Sequence, residues 1–400
     1  MSDIGGSSPH TLADDARAAG RIALDTEFMG EGRYRTLLCL IQLAVPLSDG
    51  DKRIEILDPL AENFNGAPLA SVLADPQVQV VVHAGRHDIA LARRVLATDV
   101  TNVFDTQVAA GFAGMGAQSS YDSLLTEILG LRVAKTASFT RWNARPLSSE
   151  QLTYAREDVV HLLELAAELE RRLTALGRLE WAREECEPLA RSSDERDPET
   201  IFARLPRIGG LSASARPIAR ELVQWREQTA ARQNRPVQGV ISDVALVELA
   251  RRKPSSHGDL EKIRGLGSSG QGRLAEELLQ AVARASRRPL DPPPLLPRPP
   301  APQPDDAPLV ALAEALLRAR AREAGLAYEL LAARANLQAI IAAARAGTEE
   351  ADVRTLRGWR RELVGEELLE LLDGRLSLSV LDRRLLVEPR SEDPDRSGAI

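Results

Sequence analysis

The chain of 400 residues is 44% hydrophobic and 27% charged, a composition that excludes a wholly disordered or collagen-like protein. Its length predicts roughly two to four domains, and its formal net charge of −7 argues against a uniformly basic nucleic-acid binder. The two cysteines, Cys39 and Cys186, exclude a disulfide framework and a four-cysteine zinc site. Because cysteines are scarce and no signal peptide or run of about 18 apolar residues occurs, we expect a cytoplasmic protein without a membrane span.

Strand and helix patterns alternate in the first half of the chain, which predicts a mixed sheet flanked by helices. Short apolar runs separated by turn residues predict four strands, at residues 21–28, 34–45, 53–57 and 78–83. Helical periodicity predicts four helices, at residues 88–96, 106–112, 121–129 and 149–176. We therefore expect an α/β domain over residues 1–195.

Strand patterns disappear from residue 198 onward, so two all-α domains are predicted to follow. The first covers residues 210–288 and contains about four helices with short polar breaks. Residues 289–308 are so rich in proline that they predict a stiff, extended linker. A second helical domain is predicted at residues 309–390, followed by a disordered tail.

Two acidic residues, Asp25 and Glu27, lie two positions apart on the first predicted strand. The pleat of a strand places both carboxylates on one face. At an effective dielectric constant near 20, two such charges about 4 Å apart repel by roughly 4 kcal/mol, a cost that a divalent cation would reverse. The pair therefore indicates a metal site, although an exposed edge strand would tolerate it without a metal.

Three further polar residues lie where they can join this pair. Asp88 follows the fourth predicted strand at the start of a helix, where an acid can also act simply as a helix cap. Tyr154 and Asp158 are four residues apart on a predicted helix, so the phenol and the carboxylate share one helix face.

The order and spacing of these residues resemble the DEDD superfamily of 3′-to-5′ exonucleases, in its tyrosine variant. The surrounding sequence is most similar to the ribonuclease D family, in several blocks that follow one another in the family's order. The blocks are LDTEF at 24–28, LCLIQLA at 38–44, VVHAGRHD at 81–88, VFDTQVAA at 103–110 and ARPLSSEQLTYAREDV at 144–159. The resemblance spans most of residues 20–180.

This resemblance implies a ribonuclease H-like exonuclease fold and a metal-dependent hydrolysis of phosphodiester bonds. It implies that Asp25, Glu27, Asp88 and Asp158 bind two divalent metal ions, either Mg²⁺ or Mn²⁺, which select carboxylate oxygen. The two metals would activate a water molecule and neutralise charge on the leaving 3′ oxygen. Tyr154 would orient that water, although a phenol with a pKa near 10 is a poor base at neutral pH.

Residues before the last motif also match the family and are candidates for substrate binding. Arg141, Trp142 and Arg145 could contact a phosphate or stack on a base, with Lys135 as a weaker candidate. Packing or surface roles explain all four equally well. For Asp105, capping of the helix that begins at the next residue is a better explanation than metal binding.

The segment from residue 210 to 288 resembles the HRDC domain, on LVQWREQTAARQNRPVQGVISDVALVELARRKP at 222–254 and DLEKIRGLG at 259–267. Between Ser212 and Arg288 there are fourteen Lys or Arg and eight Asp or Glu, a net charge of +6. The adjacent Arg251, Arg252 and Lys253 are therefore candidates for binding the phosphate backbone. Three glycines, at 265, 267 and 270, have a dinucleotide-binding spacing, but no strand precedes them, so no dinucleotide cofactor is expected.

Residues 356–374 resemble, more loosely, a second HRDC-like unit. Its Arg357, Arg360 and Arg361 lie around Trp359 and would extend an RNA-binding surface, or form a solvated helix face. If the helical domains serve only to hold the substrate, deletion of residues 210–400 leaves the nuclease chemistry intact.

Together these features predict a 3′-to-5′ exoribonuclease that releases nucleoside 5′-monophosphates from RNA with a single-stranded 3′ end. The resemblance implies tRNA precursors as substrates. Two alternatives remain open at this stage. The first is a DNA-directed exonuclease, because nothing in the sequence reports on the 2′-hydroxyl group. The second is a non-catalytic RNA-binding adaptor.

Overall fold

A five-stranded mixed sheet lies at the centre of the N-terminal domain in the computed structural model of the chain. Residues 9–132, 141–289, 303, 305–347 and 350–390 are described. Most of the predicted linker, the predicted disordered tail and Lys135 therefore lie outside the described residues. The five strands are β1 (Arg21–Met29), β2 (Leu37–Pro46), β3 (Lys52–Leu57), β4 (Gln79–Val82) and β5 (Val103–Asp105).

The strand order is β3-β2-β1-β4-β5, so β1 is central. It pairs antiparallel with β2 and parallel with β4, and β4 pairs parallel with β5. The prediction of a mixed sheet flanked by helices is confirmed. Because β1 and β4 run in the same direction, their carboxyl ends meet at one edge of the sheet.

The described part of this domain contains eight helices, six of which contact the sheet directly. They are α1 (Pro9–Ala19), α2 (Ala67–Leu73), α3 (Arg86–Leu96), α4 (Thr106–Phe112), α5 (Tyr121–Leu124), α6 (Ser149–Val160), α7 (Leu162–Ala175) and α8 (Leu179–Ala190). A π-helical turn over Leu125–Leu129 continues α5. The long helix predicted at 149–176 is divided at His161, whose backbone (φ −113°, ψ 5°) departs from helical geometry.

The next domain consists of helices only, as predicted. Its helices are α9 (Pro198–Ala203), α10 (Arg216–Gln233), α11 (Val237–Val240), α12 (Asp243–Arg252), α13 (His257–Glu261) and α14 (Gly272–Ser286). Glu227 of α10, which is buried, joins it to the first domain. This carboxylate accepts hydrogen bonds from the hydroxyl of Tyr34, in the β1–β2 turn, at 3.1 Å and from Nε of Arg196 at 2.6 Å.

The C-terminal region is mainly helical but also contains two strands that the sequence analysis did not predict. Its helices are α15 (Asp306–Ala324), α16 (Tyr328–Leu331), α17 (Arg334–Ala346), α18 (Gly358–Arg360) and α19 (Glu366–Leu372). The strands β6 (Leu376–Leu381) and β7 (Arg384–Pro389) form an antiparallel hairpin. Its two-residue turn, Asp382 and Arg383, has positive φ angles, as tight hairpins require.

The C-terminal region shares a hydrophobic core with the first domain. Trp359 stacks on Trp181 of α8, with ring centroids 5.1 Å apart, and meets the edge of Phe112 of α4 at 5.0 Å. Leu316 and Leu317 of α15 belong to the same buried cluster. The helical modules are therefore not independent attachments. Among the described helices, none is both long and apolar enough to cross a membrane.

This shared core changes the expected result of the deletion. Removal of residues 210–400 would expose the rings of Phe112 and Trp181 and the apolar faces of α4, α7 and α8 to water. We expect the truncated chain to aggregate or unfold, as measured by soluble yield and circular dichroism. A soluble truncated protein with the helical content and nuclease activity of the intact first domain would contradict this expectation.

Candidate active site

Strand β1 carries Asp25 and Glu27 beyond the end of its pairing with β4. The last parallel pair joins Ala23 and Val81, so both acids lie past the carboxyl end of β4. On the other side of β1, Asp25 is opposite Gln42 of β2 and Glu27 is opposite Leu40. Both acids are partly buried on the same face of the sheet.

Helix α3 brings Asp88 to the same edge. The N-cap of α3 is Gly85, which leaves Asp88 in the first turn rather than in the capping position. Asp88 is 7% exposed, and its carboxylate accepts a hydrogen bond from the hydroxyl of Thr26, the residue between the two acids of β1. The structure thus connects Asp88 directly to the strand that carries Asp25 and Glu27.

Helix α6 provides the last two residues. A capping box fixes its start: the hydroxyl of Ser148 accepts the Gln151 N–H at 3.2 Å, and Gln151 Oε1 accepts the Ser148 N–H at 3.0 Å. Tyr154 and Asp158 then lie one turn apart, and both are partly buried where α6 packs on β1, β2 and β3. Three distant segments therefore deliver the predicted residues to one place.

The carboxylates are close enough to repel one another. Burial raises the pKa of Asp25 well above its usual value, and repulsion from Asp88, Asp158 and Glu27 adds to the rise. Burial raises the pKa of Glu27 to about 8, again with contributions from Asp158 and Asp88. The pKa of Asp158 rises to about 7, because of burial and then repulsion by Asp122 and Glu157. Such a group stores unfavourable electrostatic energy when its members are ionised.

Tyr154 shares this electrostatic environment. Burial, followed by repulsion from Asp158, Glu27 and Asp25, raises the pKa of its phenol above the ordinary value. Its ring lies 5.9 Å from the ring of Trp142. A phenol with a raised pKa keeps its proton at neutral pH, so this environment favours a hydrogen-bonding and orienting role over that of a base.

The residues present fit a site for divalent cations by their chemistry. Four carboxylates with raised pKa values offer the hard oxygen ligands that Mg²⁺ and Mn²⁺ select, and a cation would offset their repulsion. In the described part of the chain, however, no three acidic, histidine or cysteine side chains are already arranged around a common point for a metal. Binding therefore requires rotation of side chains, including that of Asp88, which now faces Thr26.

These pKa shifts predict a pH-dependent effect of cations on stability. The folded metal-free chain retains protons on Glu27 and Asp158 up to about pH 7 to 8, whereas unfolded carboxyl groups lose them near pH 4. Its stability therefore falls as the pH rises from about 4 to 8. We expect Mn²⁺ to raise the melting temperature more at pH 8 than at pH 6, as measured by scanning calorimetry with Ca²⁺-free buffer and EDTA controls. An equal increase at both values would contradict the shared acidic site.

The predicted substrate-binding residues of this region differ in their surroundings. Trp142 is 3% exposed, so its ring packs beside Tyr154 and is not open for stacking on a base. Arg145 donates from Nε and Nη2 to the carboxylate of Asp58, each at 2.6 Å, and from Nη2 to the carbonyl of Cys39 at 3.0 Å. Its guanidinium is thus engaged within the protein. Arg141 is exposed and remains a candidate for contacting phosphate.

The prediction that Asp105 is a helix cap is confirmed. Its carboxylate accepts the backbone N–H groups of Gln107 and Val108 at the start of α4. It also accepts those of Ala84 and Gly85, just before α3. Asp105 therefore fixes the turn that presents Asp88, without being part of the acidic group itself.

The predicted basic residues of the helical regions also divide into two groups. Arg251, Arg252 and Lys253 are exposed at the end of α12, as binding to a phosphate backbone requires, and Arg252 also pairs with Glu248 on the same helix, at 2.5 Å. In the C-terminal region the basic residues around Trp359 form ion pairs, and of the two alternatives the solvated helix face fits the exposed Arg357 and the partly exposed Arg361, whereas Arg360 is buried. The ion pairs are Arg360 with Glu185 at 2.5 Å, Arg361 with Glu350 at 2.6 Å, and Arg357 with Asp352.

One polar residue next to the acids escaped the sequence analysis. Gln42 is 0% exposed, and neither its Oε1 nor its Nε2 has a hydrogen-bond partner among the described residues. Leaving such a buried group unpaired costs about 1–3 kcal/mol. Its signal in the sequence was its position as the one polar residue in the apolar run LLCLIQLAV at 37–45.

Comparison with known protein families agrees with this arrangement. Residues 7–174 match the family model described as 3′-5′ exonuclease, and residues 216–282 match the HRDC domain. The second match falls on the predicted HRDC-like segment.

Related proteins match nearly the whole chain. It is 36% identical to ribonuclease D of Acidiphilium cryptum over 379 residues, which cover 94% of each chain. It is 37% identical to ribonuclease D of Gluconacetobacter diazotrophicus, over 90% of this chain and 89% of the relative. The crystal structure of Escherichia coli RNase D, described as an exoribonuclease involved in structured RNA processing, superimposes with a TM-score of 0.78 at 28% identity, over 93% of this chain and 98% of that one. The chain therefore belongs to the ribonuclease D family of 3′-to-5′ exoribonucleases.

Proposed function

We propose that this chain trims tRNA precursors from their 3′ ends and uses two divalent metal ions to do so. One observation carries the proposal: four carboxylates that repel one another, together with a phenol, come from three distant segments to the carboxyl edge of the central strands. Such a group needs cations, and a cation-loaded site suits a phosphodiester substrate, which is itself an anion.

Asp25, Glu27, Asp88 and Asp158 would hold the two ions. Bound divalent cations supply a water molecule with a lowered pKa and neutralise the charge that develops on the leaving 3′ oxygen. Hydrolysis breaks the bond between phosphorus and that oxygen, and the water oxygen becomes part of the released nucleoside 5′-monophosphate. The leaving oxygen takes up a proton. Tyr154, with its proton retained, would hydrogen-bond to the attacking water or to a phosphate oxygen and fix its position.

Mg²⁺ and Mn²⁺ both prefer the oxygen ligands that this site offers, so we propose that either ion supports turnover. We place the protein in the cytoplasm, because its two cysteines are both unpaired and buried, which suits a reducing compartment. RNA rather than DNA is the proposed substrate class, because the related proteins that match most of this chain are named ribonuclease D.

An assay with matched RNA and DNA duplexes that carry 3′ single-stranded tails tests this function. With Mg²⁺ or Mn²⁺, we expect a ladder of RNA products shortened from the 3′ end, and with EDTA no products. Internal cuts, or activity that persists in EDTA, would contradict the proposal. Preferential shortening of DNA would support the DNA-directed alternative, and binding without shortening would support the adaptor.

A second assay addresses the proposed tRNA substrate. A tRNA precursor with extra 3′ nucleotides is compared with an unstructured RNA of equal length and the same 3′ sequence. We expect shortening of the precursor to stop close to the structured acceptor stem and shortening of the unstructured RNA to continue. Identical product patterns would argue against a role in trimming structured precursors.

The C-terminal region provides a further surface suited to RNA. Arg318 and Arg322, one turn apart on α15, and Arg383 and Arg384, at the hairpin turn, line a cleft of about 630 Å³. All four are exposed, and among the described residues none forms an ion pair. Arg318 also lies over the ring of Tyr328, at 4.3 Å from its centroid. Four arginines outnumber the one acid that lines the cleft, Glu323, so the cleft attracts a polyanion. We include this cleft in the RNA-binding surface, in place of the paired arginines around Trp359.

Reversing two of these charges should weaken the retention of long RNA. We expect the double variant R318E/R322E to bind a long RNA at least about 10-fold more weakly, with a smaller dependence on salt concentration, while a short oligonucleotide is degraded at the wild-type rate. The matched control is R171E/R183E, which changes the net charge equally at exposed arginines of α7 and α8. Equal loss in both variants would show a general charge effect and would remove the cleft from the binding surface.

A further inference from the structure

Gln42 of β2 is fully buried, and its side chain has no hydrogen-bond partner among the described residues. Gln42 and Asp25 are directly opposite each other in the antiparallel β1–β2 pair, so their side chains lie on the same face with Cβ atoms about 5 Å apart. On the other side, Gln42 is opposite Ile56 of β3. Along β2, the residues two positions away on this face are Leu40 and Ala44.

The strand neighbours of Gln42 on this face are therefore apolar, except for the two acids of β1. Leu40 and Ile56 pack in a buried cluster under α6, and Ala44 packs in the cluster under α7. Among its neighbours in the sheet, Asp25 is directly opposite and Glu27 is diagonal, so Asp25 is the nearer of the two hydrogen-bonding side chains. A fully buried amide that finds no partner is a cost to folding, so its presence here requires a benefit elsewhere.

We propose that Gln42 is a positioning residue for the metal site: its side-chain Nε2–H donates a hydrogen bond to the carboxylate of Asp25 when Asp25 turns to bind a divalent ion. This inference rests on the proposed function, since it assigns a role to Gln42 at that same site. The bond would fix which oxygen of Asp25 faces the ion. The amide stays neutral throughout and adds no charge to the acidic group.

The substitution Gln42→Met separates this role from a structural one. Methionine keeps the length and flexibility of the side chain but removes both unpaired polar atoms. We expect the metal-free Q42M chain in EDTA to melt at the wild-type temperature or higher, while its affinity for Mn²⁺, measured by isothermal titration without RNA, falls about 10- to 100-fold. RNA turnover at limiting Mn²⁺ should fall in parallel and recover partly at high Mn²⁺.

A matched control is Thr229→Val in α10. Thr229 is 1% exposed and its hydroxyl also has no partner among the described residues, but it lies in the HRDC domain. T229V therefore removes a buried unpaired polar atom of the same kind, and we expect its Mn²⁺ affinity and turnover to equal those of the wild type. If Q42M does not fold, Gln42→Leu replaces it, with the same expected results.

Two results would overturn the inference. The first is an Mn²⁺ affinity of Q42M within twofold of the wild type, which would make Gln42 a packing residue. The second is a loss of Mn²⁺ affinity in T229V equal to that in Q42M. A wild-type chain that neither binds Mn²⁺ nor shortens RNA would instead contradict the proposed function itself, so the two failures are distinguishable.

Discussion

Replacing Asp158 with asparagine is expected to lower RNA turnover by about 10³-fold or more. The change removes one negative charge from the acidic group, and losing about 4 kcal/mol of charge stabilisation in the transition state corresponds to this factor. Asparagine keeps the shape of the side chain, so α6 should be undisturbed. Single-turnover rates at saturating Mg²⁺ measure the effect, and RNA affinity measured in EDTA should stay close to that of the wild type.

The same substitution should stabilise the metal-free protein. Because Asp25 and Glu27 lose a repelling neighbour, we expect D158N to melt at a higher temperature than the wild type in EDTA at pH 8, and the difference to shrink at pH 5, where the acids are protonated. Asp122→Asn is the matched control for the loss of a repelling charge, since Asp122 is exposed and contributes most among the charged residues to the raised pKa of Asp158, but is not one of the four proposed metal ligands. Turnover of D158N close to the D122N value would remove Asp158 from the active site.

Replacing Tyr154 with phenylalanine is expected to slow the chemical step by about 10²-fold, the scale of one positioning or proton-transfer group. Phenylalanine keeps the contact with Trp142, so the loss is confined to the hydroxyl. Because the pKa of Tyr154 is raised, the wild-type rate should show no additional ionisation of this phenol between pH 7 and 9. Single-turnover rates across this pH range measure both effects.

A matched tyrosine is available in the C-terminal region. The hydroxyl of Tyr328 is buried and has no hydrogen-bond partner among the described residues, and it lies outside the acidic group, next to Arg318. We expect Tyr328→Phe to retain the wild-type rate. A Y154F variant that is as active as Y328F would contradict the assignment of Tyr154.

Several features of the site were predictable because they depend on local geometry alone. The two-residue spacing of Asp25 and Glu27 places them on one strand face, and the four-residue spacing of Tyr154 and Asp158 places them on one helix face, whatever the rest of the chain does. The capping role of Asp105 follows equally from its position before α4. Local geometry also explains why β5 was not predicted: its three residues are too few to show a repeating pattern.

Other features depend on which segments meet, and local patterns carry no information about that. The sequence left base stacking and packing open for Trp142, and tertiary packing decides between them by burying its ring beside Tyr154. Arg360, next to Trp359, could have belonged to a basic surface, but Glu185 from a distant segment neutralises it. The hairpin of β6 and β7 and helix α15 each supply two of the cleft arginines instead.

The sequence by itself determined the chemistry of this protein: the identities of the acids, their order along the chain and the faces they share within each element. Tertiary structure decided their convergence, because only the parallel pairing of β1 with β4 and the position of α6 over the sheet bring Asp25, Asp88 and Asp158 within electrostatic reach. It also decided the isolation of Gln42 and the shared core of the first and last domains. Periodicity is fixed by bonds between neighbours in the chain, whereas burial and charge pairing are fixed by neighbours in space.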